Sequence, residues 1–455
     1  MKEKLIYDVA VVGGGPSGVA AAIASARKGA KTILIEREGY LGGMLTAGGV
    51  GPQMTFHAGT KQVICGIPDE IVERLKKEGF SVGHLPDGVG FCGTTTPFDA
   101  EGMKLVLETM VMESGAELLY HTVYTGCQVE KNGITSISLY AKNGFMDVSA
   151  KVFIDASADA DLANHAGVSS VYGRESDHLA QPMTMNFKIA DVDREKMLAY
   201  IESNPDDVYE RIPSDLRSLP RYSILGGYKS IQLAKETGEF TIDRNMVLCF
   251  ETNRKGEFIV NMTRIIKKSA VDAFDLTQAE IEGRKQAFEA YRFLRKYIPG
   301  FENCHLIQTG PKIGIRESRK INGIYKLTED DLVTNVMFDD AVCMGGYPID
   351  IHSPDGAATN HKFLKENSWY SIPYRCMITK EIENLIVTGR CISATHVACS
   401  SIRLTPIAMA LGQAAGTAAA QAVTDGCSTN ALDTAKLRSA LQADGVFLEE
   451  YHENG

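Results

Sequence analysis

Residues Leu5 to Val12 are apolar apart from Tyr7 and Asp8, the pattern of a strand buried on both faces of a parallel sheet. A glycine cluster follows at once. An Ala-rich segment then runs to Gly29 and reads as a helix, and a second apolar run, Lys31 to Ile35, ends at Glu36. Further along, Pro97 to Gly115 reads as a loop and then a helix. Glu117 to Tyr124, Ile134 to Tyr140 and Phe145 to Val148 read as three short strands, with Asn132-Gly133 and Asn143-Gly144 between them as hairpin turns. Phe153 and Ile154 close a buried strand, and Asp155 to Asp161 form the loop and helix start beyond it.

The texture changes between about Tyr172 and Tyr370. Charged helical stretches appear, notably Asp275 to Tyr297, with apolar spacing at Phe288, Tyr291, Leu294 and Tyr297. Gln181 to Ile189 alternates like a half-buried strand, and Ile259 to Thr263 reads as another. Near the end, Asn384 to Arg390 reads as a short buried strand, and Pro406 to Ala420 as a helix of small residues that packs tightly.

The chemistry is densest in the first fifty residues. Gly13, Gly15 and Gly18 make a GxGxxG in which the glycines serve a tight turn, close backbone approach to a pyrophosphate, and close packing of helix on strand. Pro16 and Ser17 open the helix, whose N-terminal amides suit phosphate oxygens. Glu36 is placed to accept hydrogen bonds from a ribose. Strand, glycines, small-residue helix, second strand and acid in this order indicate an adenine dinucleotide. The glycine-dense loop from Arg37 to Gly49 would let backbone pass close to a second large ring.

That loop resembles the one in glutathione-reductase-like flavoproteins, where an acid precedes a segment ending in Gly-Gly and a small polar residue. The resemblance implies FAD, with Glu36 on the adenosine ribose, Arg37 beside it, and Gly42, Gly43 and Met44 lining the cofactor; Met44 departs from the small polar residue of the pattern. Asp155 to Asp161 resembles the Asp-Ala-[Ser/Thr]-Gly-Asp return to the FAD, with Ala158 replacing the glycine. Acids capping the next helix explain it equally well. Two further segments, Gly314 to Gly323 (GxRESRxxxG) and Gly389 to Ala420, resemble a bacterial FAD-dependent oxidoreductase family. The second implies cofactor contacts from Gly389, Gly412, Gln413 and Ala414, although Arg390 stands where related flavoproteins carry an acid.

Together these readings predict an α/β protein: a three-layer Rossmann-like FAD-binding domain with a small β-meander and an inserted mixed α+β substrate domain. The expected division is 1–170 for the first part of the FAD domain, 171–370 for the substrate domain, and 371–455 for the return segment and C-terminal helices.

His396, in a loop between buried strand and helix, is the first candidate for a catalytic group beside the flavin. Arg403 is suited to a substrate carboxylate or flavin carbonyl. Arg316 is suited to an anionic substrate oxygen or the cofactor, or alternatively to pairing, with Arg319, to Glu317. His57 is a weaker candidate. The expected chemistry is hydride transfer between flavin and a small organic substrate, with an external electron donor or acceptor. A non-redox flavin-dependent isomerase or lyase, a flavin-dependent hydroxylase, and a flavin-containing electron-transfer subunit remain open.

Composition removes other classes. A formal charge of −10 argues against nucleic-acid binding through overall field. The ten cysteines contain no CxxC pair, and the aspartates near 155 lack the glycine and glutamate of a calcium loop, so no metal is expected. No run of 18 apolar residues and no signal-peptide pattern is present, which gives a cytoplasmic expectation without a transmembrane segment. A homodimer is the default oligomer.

Overall fold

The computed structural model describes residues 5–213, 215–356 and 358–451. Its largest sheet begins with the strand Leu5–Val12, flanked in parallel by Thr32–Ile35 on one side and Gly144–Asp155 on the other. Glu117–Leu119 extends the sheet beyond Thr32–Ile35, again in parallel. The twelve-residue strand Gly144–Asp155 serves two structures. Its first half forms a hairpin with Gly133–Ala141, which pairs in turn with Val123–Glu130, while Phe153 to Asp155 pair in parallel with Leu385–Val387. The parallel sheet and its meander therefore share one continuous backbone.

The segment read as a single strand from Glu117 to Tyr124 divides in two. His121 takes a left-handed φ of 51°, and the chain leaves the parallel sheet there to start the meander at Val123. Both hairpin turns sit one residue earlier than the Asn-Gly reading. Glu130 faces Gly133 and Ala141 faces Gly144, so Lys131-Asn132 and Lys142-Asn143 occupy the turns.

One face of this sheet carries the helix Pro16–Arg27, crossed by the long helix Thr405–Asp425. Small residues bring their backbones into contact. A Cβ on Gly412 would lie 2.0 Å from the Ser17 carbonyl oxygen, and one on Gly416 would lie 2.1 Å from that of Ala21. Both helices are buried over most of their length because alanine and glycine leave no side-chain bulk to separate them.

A second sheet is antiparallel throughout, in the order Ser223–Gly226, Val247–Glu251, Phe258–Val260, Phe187–Ala190 and His305–Thr309. Of the strands expected over Gln181 to Ile189 and Ile259 to Thr263, the observed ones are Phe187–Ala190 and Phe258–Val260, paired with Phe187 opposite Val260, while Met183 and Thr184 make only isolated bridges. The helix Ala273–Tyr297 packs in the same layer, capped by Asp272, which accepts from the Asp275 amide. Its buried face runs through Ala279, Gly283, Ala287, Ala290 and Leu294. Phe288 lies 44% exposed, because it follows Ala287 by one residue and is turned about 100° from the core face. The core of this layer extends from Met183 to Ile313, whereas apolar residues from Leu327 to Ile378 pack with the core of the first layer.

Candidate active site

Where the two layers meet lies a cavity of about 240 Å³. At one end it is lined by Pro16, Ser17, Met44 and Ala158, and beside them by Thr405 and Ala408 from the start of the long helix. Two helix N-termini thus open on the same space, each with first-turn amides that lack intrahelical partners.

This end fits FAD. Gly13 turns with φ +104°, and a Cβ there would meet the Ala156 carbonyl oxygen at 2.5 Å. Gly18 lies against Gly13, where a Cβ would be 1.8 Å from its oxygen. Gly15 differs: its Cβ position meets no atom closer than 4.0 Å, which leaves an open cradle before the helix. Glu36, 8% exposed at the end of the second strand, accepts from the amides of Gly14 and Glu38, at 2.6 and 2.8 Å. Arg37 is exposed and 3.5 Å from Glu38. Gly42 and Gly43 have positive φ, and Gly43 passes so close to Gly15 that a Cβ would come within 2.9 Å of its α carbon.

The return loop combines both sequence readings. Asp155 is buried and accepts from the Ala163 amide at 2.9 Å, which caps the short helix Asp161–His165. Ala158 takes the glycine's conformation, φ 68°, and lines the cavity. Asp159 accepts from Arg390 at 2.7 Å and from the Ser318 hydroxyl at 2.7 Å. Asp159 thus pairs with the arginine that stands at position 390.

The other expected residues divide. Arg316 and Arg403 line the cavity. Gly389 packs on Ser17, where a Cβ would be 2.7 Å from its Oγ. Gly412 lies in the helix crossing and Ala414 in the core; Gln413 is buried and caps the helix Ile67–Lys77 by accepting from the Ile67 amide at 2.8 Å. His396 begins the helix His396–Ile402, and its Nδ1 is 2.7 Å from Glu317 Oε2; it is not among the residues lining the cavity. Glu317 takes Lys320 and His396, not the neighbouring arginines. Arg316 instead donates to the Pro182 carbonyl, the Thr184 hydroxyl and Asn261, while Arg319 pairs with Asp161. His57 is 3.1 Å from the Thr94 hydroxyl, away from the cavity lining.

The far end contains a group that the sequence reading missed. Asp350 lies on the strand Ile349–His352, opposite His361 on Thr359–Lys362. Its carboxylate is 3.3 Å from His352 Nε2, 3.2 Å from His361 Nδ1, 3.3 Å from the Tyr347 hydroxyl and 3.4 Å from Arg403. Burial opposes ionisation of Asp350, but His352, His361 and Arg403 outweigh it and hold the carboxyl well below the usual range. Burial pushes His352 down to about 3 against the pull of Asp350. The readable signal was Asp350 and His352 at i, i+2, which places both on one face of a strand.

Two helix N-termini opening on one cavity, next to a glycine turn and a buried acid at the end of the second strand, have the form of a dinucleotide-binding site. The chain belongs to the FAD dependent oxidoreductase family, whose model matches residues 8–441. Over 174 residues it is 31% identical to a thiamine thiazole synthase of Metallosphaera sedula, covering 35% of this chain and 58% of the synthase. Over 203 residues it is 26% identical to a digeranylgeranylglycerophospholipid reductase of Thermoplasma acidophilum, covering 41% of this chain and 48% of the reductase. The chain thus matches about half the length of these relatives. Among solved structures, the flavin-dependent brominase Bmp2 aligns with TM-score 0.50 at 13% identity, over 96% of this chain and 83% of that one, a likeness of fold. FAD is the cofactor. Among the described residues, no helix is long and apolar enough to cross a membrane.

Proposed function

We propose that this protein catalyses hydride transfer between FAD and a small organic substrate bound in the cavity between the two layers, with an external donor or acceptor completing the cycle. The observation that carries this reading is the continuity of the cavity. It joins the N-terminal cradle, through Pro16, Ser17 and Met44, to side chains of the antiparallel layer such as Leu225 and Leu248. Bound FAD supplies two-electron chemistry that no side chain can perform.

The chain's own contribution is placement and proton handling. The cradle at Gly13, Gly15 and Gly18, with Glu36, holds the dinucleotide, and the start of Thr405–Asp425 faces negative charge with its positive end. Arg316 and Arg403 orient the substrate. His352, neutral in its buried setting and beside Asp350, accepts or donates a proton at the substrate. Asp350 fixes the ring and stabilises its charged form. His396 acts behind this site, anchoring Glu317.

The test is anaerobic. The purified holoprotein is mixed with candidate substrates and reductants while the flavin absorbance is followed. Loss of the blue band with a small-molecule reductant, and its return with an oxidised substrate, supports the reading. Turnover of a substrate with no net electron transfer would replace it with non-redox flavin chemistry.

A further inference from the structure

We propose that the substrate end of this cavity is a pocket for a small organic acid carrying two negative charges, held by Arg244, Arg316 and Arg403. The proposal rests on the reading of the cavity as the substrate site and deepens it by naming the substrate's charge class.

Three guanidiniums reach the space from separate parts of the chain. Arg244 precedes the strand Val247–Glu251, Arg316 precedes Arg319–Ile321, and Arg403 follows the helix His396–Ile402. The cavity has a fourth arginine, Arg390, but Asp159 neutralises it at 2.7 Å. Among the described residues the only acid lining the same space is Asp350, so three cations face one anion and two positive charges lack a partner there. Such an excess is costly in a buried site unless a ligand supplies the counter-charge.

The hydrogen-bond pattern agrees. Arg244 is 3% exposed; among the described residues its Nη2 donates only to the Asn261 carbonyl, and its buried Nε has no partner. The buried Nε of Arg403 and Nδ1 of His352 also have none. Burial lowers the Arg316 guanidinium well below its ordinary range, and Arg403 and Arg244 add to the effect. Burial, with Arg264 beside it, brings Arg244 down to about 10. Mutual repulsion of this kind is relieved by an oxyanion, whose planar or tetrahedral oxygens match the donor forks of arginine. The remaining wall is apolar, with Met246, Leu248 and Phe250, and suits a short carbon skeleton. Two carboxylates or one phosphate monoester would each supply the charge.

The experiment titrates the FAD-loaded protein at constant ionic strength with malonate, succinate, glutarate and glycerol 3-phosphate, and with succinamide as the neutral match. The readouts are the flavin difference spectrum and the melting temperature. We expect saturable binding of at least one dianion and none of succinamide. Preference for the dicarboxylates or for the phosphate ester identifies the source of the charge. R244Q, R316Q and R403Q should each weaken that binding at least tenfold while flavin absorbance per chain stays constant. R316K, which keeps the charge but loses the fork, should be intermediate and serves if R316Q does not fold. Binding of succinamide as tight as succinate, absence of binding by every dianion, or full affinity in the arginine variants would overturn the proposal. These are equilibrium measurements, so failure of hydride transfer in the anaerobic assay leaves their outcome independent.

Discussion

His396 Nδ1 lies 2.7 Å from Oε2 of Glu317, and the other oxygen of that carboxylate takes the ammonium of Lys320. Glu317 and Lys320 are 1% and 2% exposed, so this is a buried ion pair extended by a histidine. Burial works against the Glu317 charge, yet His396 and Lys320 together hold its pKa below the ordinary value. The pair joins the segment before the strand Arg319–Ile321 to the start of the helix His396–Ile402, 79 residues later. Replacing Glu317 with Gln leaves the Lys320 ammonium buried without a counter-charge. We expect E317Q to lose about 3–5 kcal/mol of stability, measured by urea unfolding. E317Q combined with K320M should recover much of that loss. Equal stability of E317Q and the parent would remove the ion pair from the account.

Gly13 and Gly15 stand two residues apart and should behave in opposite ways. A Cβ at Gly13 meets backbone at 2.5 Å in a positive-φ conformation, whereas at Gly15 the nearest atom is the Gly43 α carbon at 4.0 Å. G13A should therefore damage the fold itself. G15A should leave the melting temperature of the FAD-free chain almost unchanged and weaken FAD binding roughly tenfold or more, because its methyl occupies the pyrophosphate approach. Flavin content and fluorescence titration measure the second effect. Unaltered FAD affinity in G15A would move the pyrophosphate elsewhere.

The crossing of Pro16–Arg27 with Thr405–Asp425 gives a related contrast. A methyl on Gly416 collides with Ala21 deep in the crossing, and one on Gly412 collides with Ser17, which also lines the cavity. Each substitution should cost roughly 1–3 kcal/mol or more by forcing the helices apart. G412A alone should also lower FAD retention, since it displaces the start of the cofactor helix. Thermal unfolding and bound flavin per chain, measured together, separate the two. Identical FAD retention in both variants would contradict the coupling.

Local order made much of this legible. The run from Leu5 to Val12 is the observed strand residue for residue, and the glycine cluster follows it directly. Alternation over Gln181 to Ile189 found a strand that begins only at Phe187, paired with Phe258–Val260. Legibility failed where one residue's backbone conformation decides the path, as at His121 between two strands. It failed again on Ala273–Tyr297, where large residues drew the eye although alanines and Gly283 form the packed face. The candidate site was half visible. Arg316 and Arg403 carry their charge in recognisable motifs, but Asp350, His352 and His361 meet only when a hairpin closes. His396 looked poised for chemistry because its partner, Glu317, is distant in sequence.

His352 provides a pH signature for the same site. Its pKa of about 3, set chiefly by burial and opposed by Asp350, lies far below the ordinary histidine value. The unfolded chain thus binds this proton first, and the folded state loses relative stability as pH falls from about 6.5 towards 3. Above that window the contribution is fully present. His57, brought to about 4 by burial and by His84, acts with the same sign over a narrower range. Urea unfolding of the ligand-free protein at pH 7, 6 and 5 should show stability declining with acid. The H352Q slope should be shallower by up to one proton, about 1.4 kcal/mol per pH unit. An H352Q protein with the parental slope would mean that His352 titrates normally, and its assignment as the neutral proton-handling group beside Asp350 would fall.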